Sequence, residues 1–382
     1  MKVAFLSYHY AEYCVRLANA LARDAEVLLL LADWQSSPHY ISGVDRAVNF
    51  RLFSKPRYRQ PLRQIWLVYT LLQHIRHFDP DVVHFQQGHL WFNLALPLLK
   101  RYPLVLTIHD PKPHVGDKES GKTPRLIVNY GFHRATEVIV HGEQQRQLVV
   151  DQLRIPNDIV HVIRPVPDIV FSDDVAQNQV EEDDRLILFF GRIWEYKGLE
   201  YLIRAEPLNT AQVPDAKIMI AGRGEDFARY QRMMVHPEHF IVYNEYVPDD
   251  KLVELFRSAS MVVLPYIDAS ISGVIPVAYT FAKPVIATTV GILPEMVDHG
   301  RTGYVVPPRD VRALADAIVS LLRDKELRHQ MGVNGKRKLD AEFSPDVVAR
   351  QTLPVYQRAI NRMHSSAGTR KSGRPGNDTP SQ

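Results

Sequence analysis

Short apolar runs that stop at polar or Gly/Pro-rich loops alternate along this chain with longer segments of helical period, and few folds accommodate that alternation. It is the signature of parallel strands connected by helices. The strands fall into two sets. The first is expected over 2–6, 26–31, 81–85, 104–108, 137–140 and 161–163, and the second over 186–190, 216–221, 240–243, 261–264, 284–287 and 303–306. Between the sets lies a stretch opened by Pro165 and Pro167 and closed by the acidic cluster Glu181, Glu182, Asp183 and Asp184, which predicts a linker over 166–185. The expected fold class is therefore α/β, with one parallel-sheet domain over 1–165 and a second over 186–343. At 382 residues and 46% apolar content, each half has enough material for its own core. Ser344-Pro345 opens a last helix over 344–364, carrying Val347, Val348, Leu353 and Tyr356, expected to pack back toward the first domain. The Ser/Gly/Arg/Pro-rich tail, 365–382, is expected to be disordered.

Composition removes several classes. A net charge of +3 gives no global mark of a nucleic-acid binder. A single cysteine, Cys14, rules out an intramolecular disulfide framework and fits a reducing compartment. No apolar run reaches the roughly 18 residues needed to span a bilayer, and the first residues turn polar too soon for a signal peptide. A cytoplasmic protein is expected, with any membrane contact peripheral to the inner face.

The chemistry concentrates in the second half. Leu186-Ile-Leu-Phe-Phe190 runs into Gly191-Arg192, then Lys197-Gly198 before a helix. A glycine directly after a buried strand lets the backbone turn sharply and sets both cations at the carboxyl edge of the sheet, where doubly wound folds bind ligands. Two cations there suit a diphosphate, Arg as a planar fork and Lys as a mobile point charge. A pair of solvated surface cations is the plain alternative. Further on, Pro265-Tyr-Ile-Asp268-Ala-Ser270-Ile-Ser272-Gly273-Val274 leads into another helix. Small residues there leave backbone N–H groups for phosphate oxygens, with the helix dipole adding to the attraction. A simple Ser-capped helix is the alternative.

Gly191-Arg192, Lys197-Gly198, Ile220-Ala-Gly222-Arg-Gly224, Pro265, Lys283-Pro-Val-Ile-Ala, Gly291-Ile-Leu-Pro-Glu295 and Gly300-Arg-Thr-Gly303-Tyr-Val-Val-Pro-Pro share order and spacing with one family. Over 186–343 the chain resembles the donor domain of retaining GT-B glycosyltransferases, the large group 1 family that includes sucrose, trehalose, mannosyl and lipopolysaccharide glycosyltransferases. The resemblance implies two Rossmann-like domains facing across a cleft, a nucleoside-diphosphate sugar as co-substrate, and no metal or other cofactor. It places Gly191, Arg192 and Lys197 on the donor diphosphate, Ser270, Ser272, Gly273 and Val274 against phosphate and sugar, and Val247 beside the base. The family commonly carries a pair of glutamates contacting sugar and ribose, and this chain has neither; Val277 or Ala278 stands at the second. Asp268, Ser270, Ser272 and Glu295 are the remaining candidates for those contacts.

The first half resembles the family's acceptor domain through Asp79-Pro-Asp81-Val-Val-His84 and through Thr107-Ile-His109-Asp110, which brings a histidine to a strand end. His109 is then a candidate catalytic residue, hydrogen-bonding the transferring sugar or a phosphate oxygen, with a structural histidine as the alternative. Asp79 and Asp81 form an Asp-x-Asp pair, but one that precedes its strand, which disfavours a metal. In the first loop Tyr8, His9 and Tyr10 offer rings to stack on a sugar. From Arg46 to Phe78 there are seven Lys or Arg residues and no carboxylate, interleaved with Phe50, Phe53, Tyr58, Trp66 and Tyr69. Such a segment either lies on an anionic membrane surface, which suits a lipid-linked acceptor, or is an ordinary surface helix packing Trp66 onto the sheet.

The expected reaction moves a glycosyl group to a saccharide or lipid-linked acceptor hydroxyl with retention, in polysaccharide or glycoconjugate synthesis, through Arg192, Lys197 and His109. A non-catalytic sugar-nucleotide or polysaccharide binding protein and a sugar-nucleotide epimerase on the same plan remain alternatives. An NAD-dependent oxidoreductase is disfavoured, because neither half opens with Gly-x-Gly-x-x-Gly.

Overall fold

Strands that are apolar at every position must be covered on both faces, and the computed structural model, which describes residues 1–33, 42–112, 124–167, 180–224 and 226–371, covers them twice over. β1 (Lys2–Ser7), β2 (Glu26–Asp33), β3 (Asn49–Ser54), β4 (Val82–Gln86), β5 (Leu104–Thr107), β6 (Glu137–Val140) and β7 (Val160–Val162) form one sheet in the order β3-β2-β1-β4-β5-β6-β7. β8 (Leu186–Phe190), β9 (Lys217–Ala221), β10 (Phe240–Tyr243), β11 (Met261–Leu264), β12 (Val285–Thr288) and β13 (Gly303–Val306) form a second, β10-β9-β8-β11-β12-β13. All pairings within both sheets are parallel. Alternate residues along each strand feed opposite cores, as Ala4 and Leu6 pack with the 61–78 helix while Val3 and Phe5 pack with the 11–21 helix. In each sheet the order reverses between its first strand and the strand beside it, β1/β4 and β8/β11, and that reversal opens a crevice at the carboxyl ends.

The chain crosses between the sheets twice. The first crossing follows β7; its middle, 168–179, lies outside the described residues, as does most of the expected linker. The second runs through Leu339–Phe343 into the helix Pro345–Lys371. Val348, Ala349, Val355, Tyr356 and Ala359 of that helix are buried with Phe5, Leu17 and Val105, so it completes one face of the first sheet. The helix continues past Ser365, where the sequence suggested a disordered tail, and residues 372–382 lie outside the described ones.

The basic segment is not a single surface helix. Its first part pairs as the edge strand β3, in register with β2 from Leu28↔Asn49 to Asp33↔Ser54, and its second is the helix Pro61–Phe78. That helix buries Leu67, Val68, Leu71, Leu72, Ile75 and Phe78, whereas Trp66 stays 68% exposed, so the alternative in which Trp66 packs onto the sheet is corrected. Residues 67, 71, 75 and 78 recur at helical spacing and reach the sheet; 62, 65, 66 and 69 fall on the other side. Among the described residues no helix is long and apolar enough to cross a membrane.

Candidate functional site

β8 ends at Phe190, and the next residue adopts φ 115°, a conformation open to glycine and costly for any side chain. Gly191 N–H donates to Ala221 O, tying the turn to β9. Arg192 follows with its guanidinium 4.2 Å from the Trp194 ring centre. A single 3₁₀ turn, Glu195–Lys197, carries Lys197 back over the strand ends, with its ammonium 3.9 Å from the Tyr266 ring centre and 5.2 Å from that of Tyr196. Burial first, and the neighbouring Arg192 second, push the Lys197 ammonium down to about 7.

Gly198 joins this turn to the second loop. It sits at φ 66°, and a Cβ there would lie 1.9 Å from Pro265 O. Tyr196 O accepts from Ile267 N–H at 2.9 Å, so the turn after β8 and the loop after β11 are zipped backbone to backbone. Ser270 and Ser272 are buried in that loop, Asp268 is part-exposed, and Gly273 and Val274 open the helix Val274–Thr280. A Cβ on Gly191 would be 3.8 Å from Val274 Cγ2. The structure thus brings Gly191, Arg192, Lys197 and the 268–274 loop to one place. Val247 belongs to the same apolar cluster as Phe190, Ile271 and Val274, beside exposed Tyr246. The helix has only seven residues, so its contribution rests on the N–H groups that every helix leaves without an internal partner in its first turn. Val277 and Ala278 are buried in the core below.

Opposite, the expected role of His109 meets a different geometry. His109 is 1% exposed, with Tyr10 stacked on it at 3.9 Å between centres. His141 Nδ1–H donates to Ile163 O at 2.9 Å, and its Nε2 lies 3.1 Å from His109 Nδ1. His109 Nε2 lies 2.6 Å from Gln86 Oε1, so both ring nitrogens are engaged. Burial, with His141, His84 and His9 nearby, holds its pKa well below the ordinary value. In this geometry His109 is a buried structural histidine beneath Tyr10. Tyr8 is also enclosed, stacked on His89 at 3.9 Å, and does not offer its ring to a sugar. His9 and Tyr10 remain part-exposed, His9 with Lys55 Nζ at 3.2 Å and Tyr10 with its hydroxyl 3.3 Å from Asp110 Oδ2. Gln87, at φ 43°, was not singled out in the sequence; its Oε1 accepts the N–H groups of His109 and Asp110 and fixes this strand end. Asp79 accepts from Arg101 and Tyr102, and Asp81 from Lys2 N–H, at the amino edge of the sheet and away from the site.

Glu295 takes a place that the sequence did not foresee. It lies on the turn Leu293–Met296 after β12, and its oxygens accept Glu143 N–H at 3.0 Å, Gln144 N–H at 3.1 Å and Arg164 Nη1 at 2.8 Å. Glu143 and Gln144 open the helix after β6, so the carboxyl edges of the two sheets face each other here. Burial raises the Glu295 carboxyl, but the N–H groups of Glu143 and Gln144 and the guanidinium of Arg164 outweigh it and leave the group below its usual range.

Residues 11–169 match the family Glycosyltransferase Family 4, and residues 170–338 match Glycosyl transferases group 1. The chain is 25% identical to an uncharacterized glycosyltransferase of Methanocaldococcus jannaschii over 397 aligned residues, 95% of this chain and 100% of that one. It is 27% identical to the D-inositol 3-phosphate glycosyltransferase of Corynebacterium diphtheriae, over 73% of this chain and 71% of the relative. Sucrose-phosphate synthase from Thermosynechococcus elongatus superposes with a TM-score of 0.71 at 19% identity, over 94% of this chain and 99% of that one. Anabaena HepE, solved in complex with UDP and glucose, superposes at 0.70 and 19% identity over the same shares. With family matches running from residue 11 to residue 338, one on each parallel sheet, the chain belongs to the group 1 glycosyltransferases of GT-B fold.

Proposed function

We propose that this protein transfers a glycosyl group from a nucleoside-diphosphate sugar to an acceptor hydroxyl with retention of configuration. The observation that carries the reading is the zipping of two loops by Gly198 and Tyr196, which sets Arg192 and Lys197 beside the 270–274 loop. When the glycosidic bond breaks, negative charge grows on the departing diphosphate. Two cations and loop N–H groups already aimed at that charge stabilise it without rearrangement, which is the role a metal ion fills elsewhere, so no metal is required. HepE, a neighbour of this fold, is seen with UDP and with UDP-glucose, which supports a nucleotide-sugar donor. Arg192→Ala and Lys197→Ala are each expected to weaken nucleoside diphosphate binding at least tenfold by calorimetry, about 1.4 kcal/mol for a lost charge-assisted contact. Wild-type affinity in both variants would remove the donor assignment.

The acceptor half of the reading rests on the outer surface of the first domain. Leu62, Ile65, Trp66 and Tyr69 are exposed on the 61–78 helix, next to exposed Arg57, Arg59 and Arg63. Between this helix and β3 runs a groove of about 950 Å³ whose lining includes Arg51, Lys55, Arg57, Arg63 and Trp66 and no carboxylate. Cations flanking exposed aromatic and aliphatic side chains fit an anionic membrane surface and a lipid-linked or saccharide acceptor presented there, from the cytoplasmic side.

A further inference from the structure

Gly142, just before the helix that opens with Glu143, has an extended backbone (φ −164°), yet a Cβ there would lie 2.4 Å from Ile292 Cγ2 and 2.8 Å from Glu295 Oε1. The glycine is therefore required by the neighbouring domain and not by its own conformation. On the other side, Gly291 at φ 54° lets the 291–295 turn press on the donor loop, where a Cβ would meet Ala269 O at 2.1 Å, and Ile292 N–H donates to Ser270 O at 3.4 Å. A continuous set of contacts thus runs from the first domain through Glu295 and Ile292 to Ser270. Arg164, which supplies the third hydrogen bond to Glu295, lies at the first crossing and reaches Glu342 of the second at 3.8 Å; it also donates to His141 O. Lys338 continues the network to Glu342 and Asp298. If the domains separated, Glu295 would exchange three charge-assisted hydrogen bonds for water, and the Ile292–Gly142 packing would be lost.

We propose that Glu295 is a positioning residue: it clasps the 143–153 helix and Arg164 in the closed form and thereby holds the 270–274 loop in place for the donor. Closure and donor binding are then coupled, each favouring the other by the same factor. The coupling rests on the assignment of the 270–274 loop to the donor phosphates, whereas the clasp itself does not.

Two variants test it from opposite sides. Glu295→Gln keeps the shape and removes the charge, and Gly142→Ala keeps Glu295 but places a methyl group against Ile292, a clash present only in the closed form. Both are expected to fold, with wild-type circular dichroism, and to show a larger radius of gyration than the wild type by small-angle scattering without nucleotide. Both are also expected to bind the preferred member of UDP, GDP and ADP about tenfold more weakly, within the usual span of coupling factors. Saturating nucleotide should bring their dimensions back toward the wild type, which a merely destabilised protein would not show. Wild-type dimensions in both variants overturn the clasp. Expanded variants with wild-type nucleotide affinity overturn the coupling, and if Arg192→Ala also binds normally the donor-loop assignment is the part that failed. Should Glu295→Gln not fold, Gly142→Ala decides alone, since its backbone suits alanine.

Discussion

At the scale of single residues, Lys197 carries the most readable chemistry. Its ammonium, caged by Tyr196 and Tyr266 and repelled by Arg192, titrates at about 7, so it is charged below that pH and largely neutral above it. A bound diphosphate favours the charged form and raises the pKa. Above pH 7, and above the roughly pH 6 titration of a phosphate itself, binding must therefore take up a proton, and affinity should fall by up to tenfold per pH unit. Calorimetry in Tris and HEPES between pH 7.5 and 9 should show uptake approaching one proton; zero uptake in both buffers would mean that Lys197 does not face the anion. Arg192 and Lys197 were legible because a local pattern, strand then glycine then cation, specifies where they sit. Glu295 and His109 were not. The groups that decide their roles, Glu143, Gln144, Arg164, Gln86 and His141, lie far from them in sequence, and nothing local announces such meetings.

At the scale of elements, strands apolar at every position were the most legible. All six strands of the second sheet stand where runs of three to five apolar residues predict them, within a residue or two at the ends. β3 was missed because, as an edge strand with one free side, it carries Asn49, Arg51 and Ser54 among its apolar residues and blends into the basic stretch that follows. The 61–78 helix shows the converse. Its heptad-like buried positions satisfy the sheet, leaving Leu62, Ile65, Trp66 and Tyr69 with no partner among the described residues' cores. In a sedimentation assay the wild type is expected to bind vesicles of phosphatidylglycerol and phosphatidylcholine and to ignore pure phosphatidylcholine. Arg59→Glu with Arg63→Glu should reduce binding at least tenfold, since each cation near an anionic surface contributes about 1 kcal/mol. A wild type left in the supernatant with both vesicles would refute the membrane reading.

At the scale of the whole molecule, the last helix makes the two domains one unit by completing the core of the first after the chain has built the second. Its tie is polar as well as apolar: Tyr356 OH lies 2.7 Å from His84 Nδ1, both side chains fully buried, and Arg362 pairs with buried Glu137. Burial pushes His84 down to about 3, so at neutral pH the ring is uncharged; Nε2 lies 2.8 Å from Thr107 Oγ1, and Nδ1 shares a hydrogen bond with the tyrosine hydroxyl. Tyr356→Phe strands that nitrogen and should lower the stability of the first domain by about 1–3 kcal/mol, read as an earlier urea midpoint with the second domain's transition unmoved. Equal shifts in both transitions would show the helix belongs to neither domain in particular. The sequence by itself determined the class of fold and the placing of Arg192 and Lys197 at the strand ends, because apolar periodicity and a glycine after a strand act within a few residues of chain. Only the tertiary structure decided that His109 is enclosed, that Glu295 faces the other domain, and that Trp66 faces outward. Those outcomes depend on which surfaces meet once both sheets are formed, and chain segments more than a hundred residues apart, such as Arg164 and Glu295, meet only when burial of both cores has already fixed where each surface lies.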